Sequence, residues 1–368
     1  MPFSSTAAEN ALAMAPSTRL LAARAASALA AIALLAGCGH GAKPPAAASL
    51  SSTGVTTTTT APPPAAVFPL TGLRVGDAAA TARPALSIKV ENTPPARPQA
   101  GLNGADVVTE ELVEGGITRF FVTFQSHGSP MVGPVRSARP VDAALLRQLG
   151  GGLFGYAGAA AGEIAPVKAD STAVLLSPDQ APDTYWRVAS RPAPHNLYTS
   201  TDRLYQAANR LGARRAPPPK LFRFAGHPPA GGRTVRAVAV PFSPAADYVA
   251  SWHWDPKAGL WDRYQGGQRA TVAGGAGVTA TNVVVLRVKV GTIPGLVDSL
   301  GNPDPNVIVV GKGACWVFRD GHVYTGTWQR PAIGQVMRLV GAGGKTIVLH
   351  PGRTWIELEP VGYAPRLG

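Results

Sequence analysis

Glu110, Glu114, Arg119, Arg136, Arg139, His195 and Asn196 concentrate charged and titratable groups in a chain where only 15% of residues are charged. Carboxylates beside a strand that also carries arginine could hold a cation or a sugar, and paired guanidiniums present planar donors suited to phosphate or carboxylate. Strand residues two apart share a face, and a helix or turn brings residues three or four apart together, so Glu110 and Glu114 could converge. The same acids and arginines could instead neutralise each other in a buried network. His195 lies in the loop Pro194-His195-Asn196, where imidazole could serve as a general base or simply fix the loop by hydrogen bonding. Ser137, in Gly133-Pro134-Val135-Arg136-Ser137, lacks the Gly-x-Ser-x-Gly frame of a nucleophile elbow and reads as turn chemistry.

Cys38 offers different chemistry. It closes the run Leu35-Ala36-Gly37-Cys38, preceded by the apolar stretch Ala25 to Ala36 and by Arg19 and Arg24. A basic segment, a short apolar core and small residues at a cut form the order of a bacterial export signal. The run resembles a lipobox, in which the cysteine sulfur takes a diacylglyceryl thioether, with palmitate-type chains, and becomes the new N-terminus. Each buried CH₂ of such chains adds ~0.8 kcal/mol, so two chains hold a protein to a membrane well. The expectation is a lipid-anchored protein on the extracytoplasmic side of the cell membrane, with residues 1–37 as signal peptide. Either Met1 or Met14 as the start leaves the same mature chain, whose charge is +12 after loss of Arg19, Arg24 and Glu9.

The other cysteine, Cys315, lies in a strand pattern between Ala314 and Trp316 and reads as core. No Cys pair at zinc spacing, His-Glu-x-x-His, EF-hand ladder, Walker loop or dinucleotide fingerprint occurs, so no metal or cofactor is expected. The full chain carries 34 Lys and Arg against 21 acids, a net +13. An exported protein makes nucleic acid a poor partner even so.

The elements that must position these groups follow from patterning. Residues 38–67 hold one charge, Lys43, with Thr56 to Thr60 and Pro62 to Pro64, and read as a disordered tether spanning roughly 30 Å. Residues 68–215 mix strands at 86–90, 106–109 and 117–124 with helices at 141–149 and 201–211, an α/β layer pattern in which Ser200 or Thr201 caps the second helix. After a linker at 216–232, residues 233–368 show short strands at 235–240, 248–254, 260–264, 282–290, 307–310, 314–319, 322–328, 347–349 and 354–359. They predict a mostly antiparallel β domain, a small sandwich or partly open barrel, with Asp320-Gly321 as a hairpin turn. Trp252 and Trp254 alternate onto one face, and most tryptophans here read as core. With 45% hydrophobic residues, wholesale disorder is excluded, and the 42 Gly and 35 Pro argue against a helical bundle.

Longer motifs add a resemblance. Pro69-Leu70-Thr71-Gly72, Ala96-Arg97-Pro98-Gln99-Ala100-Gly101-Leu102, Ala105-Asp106-Val107-Val108, Glu114-Gly115-Gly116-Ile117-Thr118-Arg119-Phe120, Val132 to Arg139 and Pro194-His195-Asn196-Leu197-Tyr198 are similar to the YerB-like lipoproteins. Asn282-Val283-Val284-Val285, Gly326-Thr327-Trp328 and Pro351 to Ile356 resemble that family's C-terminal domain. The family is bacterial, two-domain and of unknown function, so the resemblance implies architecture and address but no substrate, cofactor or catalytic residue. Gly155 to Ala160 departs from it: Tyr156 and Ala160 stand where a His-Ala-Gly-Gly-Ser type stretch is common. The expectation is an envelope binding or scaffolding protein for an anionic wall glycan or a partner protein. The alternative is a hydrolase or transferase on wall polymers with Glu110 or Glu114 and His195 as acid and base, and a purely structural envelope component is a third option.

Overall fold

The computed structural model describes residues 66–214, 216–298 and 300–368. Cys38, the signal peptide and nearly all of the tether expected over 38–67 lie outside the described residues. The first half contains β1 Leu86–Glu91, β2 Val107–Leu112, β3 Thr118–Phe124, α1 Val141–Gln148, β4 Leu153–Gly155, α2 Ala161–Asp170, β5 Val174–Leu176, β6 Tyr185–Arg187, β7 Leu197–Thr199 and α3 Thr201–Arg210. The second half opens with β8 Arg233–Thr234, β9 Ala237–Pro241, β10 Val249–Asp255, β11 Leu260–Gln265, β12 Gln268–Arg269 and β13 Thr279–Ala280. It continues through β14 Asn282–Val297, β15 Pro303–Ile308, β16 Gly311–Arg319, β17 His322–Arg330, β18 Arg338–Val340, β19 Thr354–Pro360 and β20 Arg366–Leu367.

Twelve strands from both halves form one sheet, ordered β18-β17-β16-β14-β19-β2-β3-β1-β4-β5, with β15 on β14 and β8 on β17. The seam is the parallel pair β2–β19, running from Val107 opposite Thr354 to Glu110 opposite Glu357. The described residues accordingly form one compact unit, with the two sequence halves sharing a sheet. A second, six-stranded sheet of β9–β13 and β20 packs on one face of the first. The C-terminal half is mainly antiparallel, as its short alternating runs predict, but its strands divide between the two sheets, and β14–β19 is parallel.

Aromatic side chains weld the two sheets. Trp252 lies 5.1 Å from Trp355 and Trp261 5.7 Å from Phe318, ring centre to ring centre, all four buried. The core reading of these tryptophans therefore holds. On the opposite face, α1 and α2 cover Phe121 and Phe154 with Val141, Leu145, Leu146, Ile164 and Val167. The helix α2 has no counterpart among the expected elements, since Pro166 reads as a breaker. It forms nonetheless, starting where the Ala160 amide donates to the Glu163 carboxylate at 2.6 Å. Just ahead of α3 the expectation is met: the Ser200 hydroxyl accepts from the Arg203 amide at 3.2 Å.

Candidate functional site

Strand register decides which polar groups meet. Across β1, β3 and β2, Glu91 stands opposite Arg119 and Arg119 opposite Glu111, so these three share one face. Val90, Phe120 and Glu110 are the next row and point to the other face. Glu110 therefore turns towards the second sheet, while Glu114, on the tight turn after β2, turns with Arg119 towards the helices.

Arg119, Arg136, Arg139 and Glu114 line one open cleft of about 420 Å³, together with Glu163 and Asp298. Arg139 sits just ahead of α1, its amide donating to Asp142 at 2.7 Å, and its guanidinium pairs with Glu114, with Glu163 at 3.3 Å and with Asp304 at 3.8 Å. Arg119 donates through Nη1 to the Ser137 carbonyl at 3.0 Å. Burial, then the charges of Arg139 and Arg136, push Arg119 down to about 10 against the pull of Glu114. Arg136 is about a quarter exposed, with Nε 3.7 Å from Glu91 Oε1, and its terminal nitrogens make no hydrogen bond among the described residues.

Asp304 and Glu114 are displaced in opposite directions. Burial, then the Glu114 carboxyl, raise Asp304 to about 7. Glu114 feels burial too, but the neighbouring Asp304 carboxyl and the Arg139 and Arg119 charges outweigh it and hold Glu114 below its usual range. The oxygens of Glu114, Glu163 and Asp304 come within 4.8 Å of one another, the spacing of a metal triad. Arg139 already lies on all three as their counter-ion.

His195 and Asn196 sit beside this cleft, outside its lining. His195 Nδ1 is 2.9 Å from Glu91 Oε1, which also accepts from the Thr93 hydroxyl at 2.7 Å. Glu91 thus links the imidazole to Arg136. Asn196 fixes its own loop, accepting from Arg187 at 2.6 Å and donating to the Arg191 carbonyl at 3.1 Å.

Glu110 belongs to a separate buried network. It accepts from Thr118 Oγ1 at 2.6 Å and Arg263 Nη2 at 2.6 Å, and Arg263 Nη1 reaches Glu357 at 2.9 Å. The Arg263 guanidinium lies 4.6 Å from the centre of the Trp355 ring. Burial and then the neighbouring Glu110 hold Glu357 well above its ordinary range.

Glu110 and Glu114 do not converge, because the strand alternation and the turn send them to opposite faces. Among the described residues neither carboxylate bonds His195, so the acid–base pair expected for a hydrolase does not form. Sequence reasoning missed Glu91, Glu163 and Asp304. An acid two residues before a Thr, or at the edge of a Pro-rich strand, carries no local sign that it will meet an imidazole or arginine far along the chain. Of the remaining reactive groups, Cys315 is buried and its thiol pushed up to about 12, and Tyr156 stacks on Phe154 at 5.1 Å between ring centres.

Residues 70–214 match the N-terminal domain, and 238–356 the C-terminal domain, described as "Protein of unknown function (DUF3048)". The chain is 30% identical over 295 residues to the Bacillus subtilis (strain 168) protein named "Putative lipoprotein YerB", covering 79% of this chain and 86% of that one. It is similar also to the crystal structure of the YerB protein from Bacillus subtilis, with a TM-score of 0.71 at 29% identity over 82% of this chain and 99% of that one.

Proposed function

The chain belongs to the YerB-like family defined by the two DUF3048 domains, and from that premise we propose that it is an extracytoplasmic binding protein, tethered by lipid on Cys38. In this reading the Arg119–Arg136–Arg139 cleft takes an anionic group of a wall glycan or of an envelope protein. The observation that carries it is the free fork of Arg136. Arg139 is committed to three carboxylates, whereas Arg136 is part-exposed at the cleft with no hydrogen bond on its terminal nitrogens among the described residues. A planar pair of N–H donors in that setting suits a carboxylate or phosphate oxygen pair. Arg119 adds a second positive charge, and His195, held by Glu91, borders the same charge group. The lipoprotein name of the relative and the Leu35–Cys38 run together support the anchor.

The mature chain should bind isolated anionic wall polymer in a sedimentation assay, and Arg136→Gln should abolish retention while the far-ultraviolet circular dichroism spectrum stays that of the parent. Retention equal to the parent's would reject the cleft. For the anchor, intact-mass analysis of membrane-extracted protein should give a diacylglyceryl-modified Cys38 at the N-terminus, and Cys38→Ala should leave an uncut precursor. An unmodified thiol on a processed chain would defeat it.

A further inference from the structure

A second cavity, of about 400 Å³, opens on the other face of the large sheet, where the Ala96 to Leu102 motif of the first half meets β11 and its following turn from the second half. Its walls are tied at the rim. The Arg97 guanidinium donates through Nη2 to the Asp247 carbonyl at 3.2 Å, and the Ala273 amide donates to the Gln99 carbonyl at 2.8 Å. The buried ring of Phe120 forms part of the floor.

Arg97 is the distinctive group. Its Nε and Nη2 are spent on Asn92 Oδ1 at 3.3 Å, the Asn92 carbonyl at 2.7 Å and the Asp247 carbonyl, which lock the guanidinium in place. No carboxylate lies within ion-pair distance among the described residues, and Nη1 makes no hydrogen bond there. Arg263 on the same wall is different, since Glu110 and Glu357 neutralise it. The cavity therefore carries one fixed cation with a free N–H pair and no direct ion pair among the described residues: Arg269 on the same wall is taken by Asp262, and the Glu110 and Asp247 carboxylates act on Arg97 only at a distance.

Beside it are groups that both donate and accept. Gln99 is 4% exposed; its Nε2 donates to the Glu91 carbonyl and Asn92 Oδ1, each at 3.0 Å, which leaves Oε1 without a partner among the described residues. Gln268 and Thr271 line the cavity with side chains that make no hydrogen bond among the described residues. Leu102, Phe120 and Val278 add an apolar surface. One fixed cation, an amide oxygen, a free amide and a hydroxyl over an apolar patch match a ring that carries hydroxyls on its edges, C–H groups on its face and one acid group.

We propose that this junction cavity is a binding site for an acidic saccharide, with Arg97 holding its carboxylate or phosphate and Gln99, Gln268 and Thr271 its hydroxyls. It is distinct from the Arg136 cleft, and either can fail without the other.

Titration calorimetry of the mature chain with D-glucuronate, D-glucose 6-phosphate, D-glucose and inorganic phosphate tests it. Binding of one or both acidic sugars is expected, at least tenfold tighter than glucose or phosphate; the preferred one identifies the acid group. Arg97→Gln should weaken that affinity at least tenfold, and Gln268→Glu, an exposed change that leaves the core alone, at least threefold through charge repulsion. Arg136→Gln should leave it unchanged. No heat with either acidic sugar at millimolar concentration, equal affinity for glucose, or parental affinity in both the Arg97 and the Gln268 variant would overturn the assignment.

Discussion

Arg263 shows how a buried charge commits its surroundings. It is the shared counter-ion of Glu110 and Glu357, with Trp252 donating to Glu357 at 2.7 Å. Arg263→Ala leaves two carboxylates facing each other in an apolar layer, and about 3–5 kcal/mol should be lost in urea unfolding. The triple variant Arg263→Met, Glu110→Gln and Glu357→Gln should recover most of that loss, because the cost lies in the stranded charge. Titration supplies a second test. Burial first, and neighbouring carboxylates for two of the three, raise Glu111, Asp304 and Glu359 each to about 7, from 4.5 for Glu and 3.8 for Asp. The folded chain thus binds more protons than the unfolded one between about pH 4 and 7, so these groups stabilise fully at the lower end and that contribution is lost as pH rises through 7. The melting temperature should fall between pH 5 and pH 8, and Asp304→Asn should flatten the slope. A rising profile would contradict the raised Asp304. The arginines and Glu114 were legible at this scale because they cluster in sequence around one strand and one turn. The partner of His195 was not, since Glu91 stands 104 residues away and only the fold joins them.

The elements that matched expectation carry their own local instructions. Asp320 and Gly321 take φ of +50° and +70°, and Arg319 pairs with His322 across the turn. A Cβ on Gly321 would meet Trp254 Nε1 at 2.8 Å, so Gly321→Ala combines backbone strain with a clash against the other sheet. It should cost about 1–2 kcal/mol more than the about 1 kcal/mol of Ser200→Ala at the cap of α3; equal losses in thermal unfolding would show that Trp254 yields freely. The strands at 86–91, 118–124 and 260–265 and the helices α1 and α3 were legible for the same reason, as periodicity and caps are local. The strand β14 outruns its expected end at 290 because Gly291 to Val297 pairs only with β15, where exposed Gly and Pro hide the alternation. The segment 347–349 has strand composition, yet only Leu349 makes a bridge, to Phe224.

At the scale of the whole molecule, the division between 215 and 233 that composition suggests, and that the two family domains follow, runs across a continuous sheet. Composition cannot report which strand lies beside which, and the β2–β19 pairing joins residues about 250 apart. The consequence is cooperativity. Splitting the chain in the linker would strip β2 and β19 of each other, expose two parallel edges, and separate Arg263 from Glu110 and Phe120 from Trp355. Neither half keeps a closed core on that account, so residues 66–215 expressed alone should be aggregation-prone, whereas residues 66–368 should unfold in one transition. Tryptophan fluorescence, dominated by the second half, and far-ultraviolet circular dichroism of the whole should then give coincident urea curves. Two separated midpoints, or a soluble, cooperatively folded N-terminal fragment, would mean that the seam transmits little energy. The junction cavity would then become a hinge between independent bodies, and the affinity expected from its fixed Arg97 wall would fall with it.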